Sequence, residues 1–340
     1  MRAAMFYGPG EALRIEEVDD PVPAEGGVVV RVRGAGVCHS DLHITQGEVS
    51  LPRTPLVLGH ENAGVVERVG RAVSGFEPGD PVAVFGAWGC GHCALCRAGD
   101  ENLCNMLGWP GIGVDGGWAE LIAVPEPRHL IPLGDLDPVE AAPLTDAGLT
   151  PYRAIRRALP QVPPGGAIAI VGVGGLGHLA IQIAQAIGPA PRVIAVDVSK
   201  AKLESALALG ADHAVEAGAD AADRIRELTG GEGAHAVVDL VGSDASLATA
   251  GASVARGGIV VLVGIAGGAL PFRFVGLPPE CLLTTSAWGT RAELEALLGL
   301  AARGLVRARV ERQPLDAVND VLERLAGGSV DGRVVLTPGV

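Results

Sequence analysis

Four cysteines lie within residues 90–104 of this 340-residue chain, in the segment GCGHCALCRAGDENLC. Their spacing is C-x2-C-x2-C-x7-C, with the sulfurs at Cys90, Cys93, Cys96 and Cys104. Four thiolates can surround one Zn²⁺ tetrahedrally and leave no open position, so the spacing predicts a closed, structural zinc site in a lobe at 89–104. Two disulfides or an iron–sulfur cluster are the alternatives. The bacterial ferredoxin pattern, however, has a last gap of three residues followed by proline.

A second group of potential metal ligands is spread along the chain. Cys38 lies in GVCHSDLH, and His60 and Glu61 lie in LGHENAG. All three side chains are of types that bind zinc. Each also has an ordinary interpretation when taken alone, as a buried free cysteine, a core histidine and a surface glutamate.

A glycine-rich segment follows a predicted strand in IAIVGVGGLG, residues 168–177. The pattern is G-x-G-x-x-G, and it opens a predicted helix. Its glycines allow a tight turn and let a pyrophosphate approach the helix N-terminus. Asp197 comes 20 residues after Gly177 (197 − 177) at the end of RVIAVD, where a carboxylate accepts hydrogen bonds from ribose hydroxyls and repels a 2′-phosphate. The segment therefore predicts an NAD site at Gly172, Gly174, Gly175, Leu176, Gly177 and Asp197.

The elements that must position these residues fall into two groups. Residues 1–130 are rich in glycine and proline and contain short β-rich runs at 28–32, 64–69, 81–85 and 118–124, which predict an antiparallel β domain. Helices are predicted at 137–147 and 150–159. Strand and helix then alternate from 168 to 263, as in a parallel sheet with helices on both faces. Helices at 291–303 and 315–326 and a strand at 333–336 complete the chain and are expected to rejoin the first domain.

Composition limits the classes of partner. The formal net charge is −13, and an acidic surface argues against binding to nucleic acid or to an anionic membrane. Residues 165–188 are long and apolar, but the clustered glycines and the polar residues that follow favour a buried strand, turn and helix over a membrane span. The first residues, MRAAMFYGPG, show no apolar stretch of the length that a signal peptide has, and cysteines spaced for metal binding are typical of a reducing compartment, so we expect a cytoplasmic protein.

Taken together, these motifs resemble the zinc-containing medium-chain alcohol dehydrogenases over the whole chain. The shared features are C-H-S-D-x-x-H, GHE followed by N-x-G, the four-cysteine lobe, the dinucleotide fingerprint and PLTDAGLTPYRAI at 143–155. The bacterial NAD-dependent secondary-alcohol branch is the most similar. The resemblance implies a GroES-like catalytic domain at 1–147 and 290–340 and a Rossmann domain at 148–289, assembled as a homotetramer or a dimer.

The resemblance also assigns a catalytic zinc to Cys38, His60 and Asp146, with Glu61 as a neighbour able to approach the metal. Many relatives have cysteine at the position of Asp146. The net ligand charge is the same, but a carboxylate donates less electron density, so the zinc should be more Lewis acidic and less tightly held. Asp146 could otherwise cap the following helix. Zinc with an open position would favour loss of the alcohol proton, after which hydride can leave the carbon.

Further roles follow from the resemblance alone. The alcohol proton would pass to Ser40, then to a ribose hydroxyl of the cofactor, and then to His43, whose type suits proton transfer near neutral pH. His39 would lie near the pyrophosphate, although it could equally be a solvated loop residue. Other cofactor contacts are expected from Thr150, Lys202, Val263 and Arg333. An apolar substrate pocket is expected from Trp88, Trp109, Ile112 and Trp288, of which Trp88 and Trp109 also fit a core or subunit interface.

Three other functions are alternatives to an alcohol dehydrogenase. A polyol or sugar dehydrogenase of the same family would call for a more polar pocket than these tryptophans provide. A zinc-free quinone or enoyl reductase would lack Cys38, His60 and the four-cysteine lobe. A non-enzymatic nucleotide-binding module would keep only the structural zinc.

Overall fold

The computed structural model describes residues 1–106, 108–188 and 191–339. Its backbone divides into two compact units. The first contains residues 1–147, 289–302 and 308–340, and the second contains residues 148–288 and 303–307. Within the described residues, no helix is both long enough and apolar enough to cross a membrane.

The secondary structure elements are numbered here in chain order. The strands are β1 Arg2–Phe6, β2 Arg14–Glu17, β3 Val28–Val37, β4 Leu56–Val57, β5 Glu61–Val69, β6 Pro81–Val84, β7 Leu121–Val124, β8 Leu130–Pro132, β9 Ala167–Val171, β10 Arg192–Asp197, β11 His213–Glu216, β12 Ala234–Asp239, β13 Val254–Leu262, β14 Leu282–Thr285, β15 Val310–Gln313 and β16 Arg333–Leu336. The α-helices are α1 His39–Thr45, α2 Ala94–Arg97, α3 Pro138–Ala141, α4 Leu149–Ala158, α5 Gly177–Ala186, α6 Lys200–Ala208, α7 Ala221–Leu228, α8 Asp244–Ser253, α9 Arg291–Ala302 and α10 Val318–Ala326. Short 3₁₀ turns cover 101–103, 127–129, 142–145, 159–161 and 315–317.

The first unit is built on a seven-stranded sheet and a three-stranded sheet. The larger sheet has the order β15-β16-β3-β5-β6-β8, with β7 also paired to β3, and the smaller has the order β2-β1-β4. All pairs are antiparallel except β15 with β16. Strand β3 (VVVRVRGAGV) forms because its β-branched valines are all buried, while Arg31 and Arg33, which alternate with Val30 and Val32, are only half-buried. Its carboxyl end leads directly into Cys38 and helix α1.

The second unit contains a six-stranded parallel sheet of order β11-β10-β9-β12-β13-β14. Strand β9 (AIAIV) is buried along its whole length, as expected for a parallel strand that is covered by helices on both faces. The strand order reverses between β9 and β12, and the glycine-rich segment follows β9 at this point. The predicted fold class, an α/β protein with a β-rich domain and a doubly wound parallel sheet, is confirmed.

Some elements differ from the sequence-based predictions. The single helix predicted at 137–147 is wrong: α3 ends at Ala141 and a 3₁₀ turn continues to Thr145. Pro143 provides no amide hydrogen for an α-helical bond, and the backbone of Asp146 leaves the helical region at φ −134°. The predicted helix 315–326 likewise begins with a 3₁₀ turn. Strand β14 was not predicted at all.

Candidate active site and metal centres

The four cysteines of the lobe at 89–104 converge on one point. Their sulfur atoms all lie within 4.8 Å of one another. Cys90 Sγ and Cys96 Sγ are 3.9 Å apart, as are Cys93 Sγ and Cys104 Sγ. Four sulfurs placed tetrahedrally about 2.3 Å from a zinc ion would be separated by about 3.8 Å. The donor set and its spacing therefore fit a closed zinc site.

Backbone amides of the same lobe point at these sulfurs. The N–H groups of Cys93, Cys96 and Met106 donate to Cys90 Sγ, Cys93 Sγ and Cys104 Sγ, each at 3.4 Å. Backbone N–H donors lower the pKa of Cys90 to about 6. These amides favour the thiolate of Cys90, the form of cysteine that binds metal, whereas burial raises the pKa of the Cys96 thiol to about 12.

The lobe is attached to the rest of the first unit through Arg128. Its guanidinium donates to the carbonyl of Gly89 at 2.6 Å and to the carboxylates of Glu101 and Glu126 at 2.5 and 3.0 Å. The neighbouring His129 is buried, which lowers its pKa to about 3 and keeps it neutral. Its ring packs against Trp88, whose indole donates to the carbonyl of Phe85 at 2.8 Å. Trp88 is therefore a buried residue of the first unit's core.

A second cluster of metal-binding side chains lies at the ends of the main sheet in the same unit. Cys38 follows β3, His60 directly precedes β5, Glu61 is the first residue of β5, and Asp146 follows the 3₁₀ turn. Their ligand atoms lie within 4.8 Å of one another. Asp146 Oδ2 is 3.9 Å from Cys38 Sγ and 3.4 Å from His60 Nε2. Tetrahedral zinc would set these distances at about 3.6 and 3.4 Å.

Asp41 supports two of these ligands, although it is not among the residues predicted from the sequence. Its carboxylate is fully buried, accepts the N–H of Cys38 at 2.8 Å and lies 3.2 Å from His60 Nδ1. Burial opposes a charge on the imidazole of His60, but the carboxylates around it, Asp41 first, raise the pKa of His60 well above its ordinary value. With Nδ1 beside Asp41, the opposite ring nitrogen Nε2 faces the cluster, which is the arrangement that partners of metal-bound histidines favour. The signal was present in the C-H-S-D motif.

Glu61 faces Arg333 on one side and the cluster on the other. Both side chains are buried, and a guanidinium nitrogen of Arg333 forms an ion pair with Glu61 Oε1. Within the described structure, the buried Glu61 Oε2 has no hydrogen-bond partner, which fits a carboxylate oxygen left for a cation. A Cβ at Gly36 would lie 1.9 Å from this oxygen, so glycine is needed there. Arg333, expected to contact the cofactor, is held here by Glu61.

The expected proton-relay residues lie on α1, which starts next to Cys38. Ser40 Oγ is 3.8 Å from Cys38 Sγ. His43 is half-buried, and its Nδ1 contacts the carboxylate of Glu48, an exposed partner that the sequence analysis did not identify. His39 is exposed. Ser40 and His43, the two expected relay residues, thus lie on one short helix that begins next to the metal cluster, and both are half-buried.

In the second unit, the glycine-rich segment has the tight geometry of a phosphate-binding turn. Gly172 has φ +94°, and a Cβ at Gly177 would lie 2.0 Å from the carbonyl oxygen of Gly172. Among the described residues, apart from the two chain neighbours of Gly174, none has an atom within 4 Å of a Cβ built on Gly174, so the space beside the loop is open. Helix α5 begins at Gly177, with Gly175 and Leu176 completing the turn. This arrangement fits a pyrophosphate over the helix N-terminus.

Asp197 ends β10 beside this loop. Its carboxylate accepts the N–H of Val173 at 2.7 Å and the N–H of Ser199 at 2.9 Å. The side chain is 8% exposed, and two backbone donors leave it capacity to accept ribose hydroxyls. Lys202 lies in the first turn of α6, with its N–H 3.5 Å from Ser199 Oγ. The residues that fit NAD are therefore gathered at the carboxyl ends of the parallel strands.

The remaining predicted contacts lie in both units. Thr150 is buried in α4, and Val263 follows β13, with its N–H donating to the carbonyl of Asp239 at 2.8 Å. Trp288 is 4% exposed and has φ +52°, an uncommon conformation for a bulky residue. In the first unit, Trp109 is half-buried and Ile112 packs against the core. The roles of these residues stay predictions.

Comparison with known proteins connects both units to one family. The alcohol dehydrogenase GroES-like domain family matches residues 24–135, and the zinc-binding dehydrogenase family matches residues 175–303. An alcohol dehydrogenase of Geobacillus stearothermophilus is 40% identical over 99% of this chain and 99% of that protein. An NAD-dependent alcohol dehydrogenase of Sulfurisphaera tokodaii is 38% identical over 99% of this chain and 100% of that protein. A D-arabinose 1-dehydrogenase (NADP(+)) of Saccharolobus solfataricus is 37% identical, with coverages of 99% and 97%.

A solved structure gives the same result at the level of the backbone. The alcohol dehydrogenase from Aeropyrum pernix superimposes with a TM-score of 0.93 at 43% identity, covering 99% of this chain and 100% of that one. Relatives this similar along the full length, both family matches and the two ligand clusters agree with one another. The chain belongs to the zinc-containing alcohol dehydrogenase family.

Proposed function

We propose that this chain, as an NAD-dependent zinc alcohol dehydrogenase, interconverts secondary or medium-chain primary alcohols with ketones or aldehydes. The observation that carries the proposal is the cluster of Cys38, His60 and Asp146. Three ligands converge there at zinc-like distances, which is the number that a catalytic zinc site uses while keeping one position for substrate. When bound, zinc would lower the pKa of an alcohol, and NAD would accept the hydride.

The residues around the cluster supply orientation and proton transfer. Ser40 Oγ lies close enough to the Cys38 sulfur to accept a proton from an alcohol oxygen beside it. His43 lies on the same helix, is partly exposed and contacts Glu48, so it can deliver that proton to solvent. Asp41 keeps the His60 ring in one orientation. The carboxylate of Glu61 is paired with Arg333, and this pairing would still allow the carboxylate to approach the metal transiently.

The cofactor preference rests on Asp197. Its carboxylate is fixed by two backbone amides at the end of β10, where it would accept both ribose hydroxyls and repel a 2′-phosphate. We therefore expect NAD to be preferred over NADP. Thr150, Lys202 and Val263 are further candidates for cofactor contacts.

The substrate class rests on the apolar residues predicted for the pocket. Trp109, Ile112 and Trp288 have large apolar side chains, and the only polar group on them is the indole N–H of each tryptophan. Such a lining favours an alkyl or aryl alcohol over a polyol. A sugar substrate is the second candidate, because one relative is a D-arabinose 1-dehydrogenase that uses NADP(+).

A substrate panel tests the function directly. The panel would contain 2-butanol, 2-octanol, 1-hexanol, benzyl alcohol, sorbitol and D-arabinose, each with NAD and with NADP, and turnover would be followed by absorbance of the reduced cofactor. We expect the highest kcat/KM for an aliphatic or aryl alcohol with NAD. A higher kcat/KM for D-arabinose with NADP would show that the sugar alternative is correct, and no turnover of any compound would contradict the enzyme assignment.

We further propose a homo-oligomer, a tetramer or a dimer, in the cytoplasm. Strand β14 ends the parallel sheet, and its Leu282 and Leu283 are 48% and 36% exposed. The nearby segment exposes Phe272 and Phe274. A sheet edge with apolar side chains is a template for pairing with another chain. Light scattering, which gives the molar mass in solution, would test this. We expect the wild-type protein to have the mass of more than one subunit and the Leu283→Lys variant to shift to smaller species.

A further inference from the structure

A buried carboxylate in the second unit has no part in the function described so far. Asp239 is the last residue of β12, is fully buried and lies opposite Val171, the last residue of β9. These are the two strands between which the strand order reverses. In doubly wound sheets, dinucleotides bind in the crevice at this point. Asp239 therefore lies at the edge of the sheet where the cofactor is expected.

The carboxylate of Asp239 organises the loop that follows it. Its Oδ1 accepts the N–H of Val241 at 2.9 Å and that of Gly242 at 3.0 Å. Its Oδ2 accepts the hydroxyl of Ser246 at 2.8 Å. Ser246 is the third residue of α8 and bonds reciprocally with Ser243, the residue that caps this helix. One side chain thus fixes the loop at 240–243 and the start of the next helix.

This loop is packed tightly against the glycine-rich turn. A Cβ placed on Gly172, the first glycine of the fingerprint, would lie 2.7 Å from Val241 Cγ2. On the other side, a Cβ on Gly264 would lie 2.1 Å from the carbonyl carbon of Val241. Val241 itself is 37% exposed. The loop is therefore enclosed between two segments at the carboxyl edge of the sheet and still presents a side chain to the crevice.

We propose that Asp239 is a positioning residue for NAD, acting through the loop at 240–243. The carboxylate pulls the amides of Val241 and Gly242 back towards β12. Without it, these amides need other acceptors, and the loop loses the bonds that fix it beside Gly172 of the fingerprint turn. A shift of the loop changes the shape of the dinucleotide site and leaves the zinc ligands, which belong to the first unit, untouched. The proposal rests on the NAD site proposed above.

The test compares variants at the two ends of β12. Asp239→Ala removes all three hydrogen bonds of the carboxylate, and Asp239→Asn keeps the Oδ1 acceptor for the two amides. Ser246→Ala removes the hydroxyl bond to Asp239 and the acceptor for the N–H of Ser243. The control is Thr229→Val, because Thr229 is also buried and its hydroxyl accepts the N–H of Gly233 at 2.9 Å, in the loop that precedes β12 at the opposite edge of the sheet. The dissociation constant of NADH, from fluorescence titration, and KM for NAD and for alcohol would be measured, with Tm and zinc content recorded for each variant.

We expect Asp239→Ala to weaken NADH binding about tenfold, and Asp239→Asn and Ser246→Ala about threefold, because one buried charged hydrogen-bond network is worth about a factor of ten or more. KM for alcohol at saturating NAD and zinc content should be unchanged. Thr229→Val should lower Tm without changing NADH binding. If Asp239→Ala does not fold, the two milder variants decide.

Two results would overturn the proposal. The first is that the folded Asp239 and Ser246 variants bind NADH with the same affinity as the wild-type protein. The other is an equal loss in Thr229→Val, which would show that binding simply follows stability. If the wild-type protein itself does not bind NADH, it is the proposed cofactor site that fails, and this outcome is distinct from both.

Discussion

Replacing Asp41 by asparagine should weaken the catalytic zinc site without changing any ligand. Asparagine has the shape of aspartate but only one acceptor oxygen and no charge. The native carboxylate uses both oxygens, one on the N–H of Cys38 at 2.8 Å and the other beside His60 Nδ1 at 3.2 Å. In the variant, either the Cys38 amide or the imidazole N–H must face an amide NH₂ group, and a donor then meets a donor in a fully buried place.

The expected loss of zinc affinity is taken from other metal sites in which a side chain orients a metal-binding histidine. Loss of a residue that orients a metal-binding histidine weakens metal binding or activity by about 10- to 100-fold. That range corresponds to about 1.4–2.7 kcal/mol. We expect Asp41→Asn to fall inside it, because two ligands depend on one carboxylate.

The assay is a chelator competition read by zinc content and by turnover. The wild-type protein should lose its two zinc ions in separate steps, and in Asp41→Asn only the step that abolishes turnover should shift to about 10- to 100-fold lower chelator concentration. The matched control is Asp115→Asn, because Asp115 is exposed and also accepts a backbone N–H, that of Val57, at 3.1 Å. The reasoning about Asp41 is refuted if both variants bind zinc and turn over like the wild-type protein.

Three further changes test the other parts of the account. Asp197→Gly should lower the ratio of kcat/KM for NAD over NADP by about tenfold or more, since a carboxylate that excludes a 2′-phosphate is lost; an unchanged ratio would exclude this role. Gly177→Ala should weaken NADH binding in a fluorescence titration at normal zinc content, because the new Cβ would lie 2.0 Å from the carbonyl oxygen of Gly172; wild-type affinity would contradict the tight turn. Cys96→Ser should remove the structural zinc and lower the free energy of unfolding by about 4 kcal/mol, because loss of a metal is among the largest effects of a single substitution. Denaturant unfolding measures this change, and full stability with one zinc fewer would show that the lobe does not need its metal.

Local motifs could be predicted from the sequence because their geometry is set by short spacings. The four cysteines lie within one loop, so their spacing alone indicates that the sulfurs can meet. The glycine-rich segment lies between a strand and a helix that have clear hydrophobic patterns. In both cases the chain has little freedom between the residues that matter.

Contacts between distant residues were harder to predict. Asp146 was assigned to the zinc site only through family resemblance, because 108 positions separate it from Cys38. The pair of Glu61 and Arg333 spans 272 positions and was missed, as was the contact of Asp41 with His60. These contacts depend on strand pairing in the main sheet, where β3 lies between β5 and β16. A single sequence does not specify that pairing.

The helix predicted at 137–147 illustrates a different limit. Its apolar periodicity is compatible with one helix, but Pro143 interrupts the hydrogen bonding, and the chain tightens into a 3₁₀ turn. That irregular turn is what presents Asp146 to the cluster. At this functional site the backbone conformation differs from the one that the local sequence pattern favours.

We propose that Cys38, His60 and Asp146 hold the zinc that acts on the alcohol, while the four-cysteine lobe holds a zinc with a structural role. The decisive measurement is the zinc content and turnover of Cys38→Ser, taken on the same sample together with NADH binding. We expect zinc to fall from two ions per chain to one, turnover to be lost and NADH to bind with nearly wild-type affinity. Retained turnover, or loss of activity with both zinc ions still bound, would contradict it.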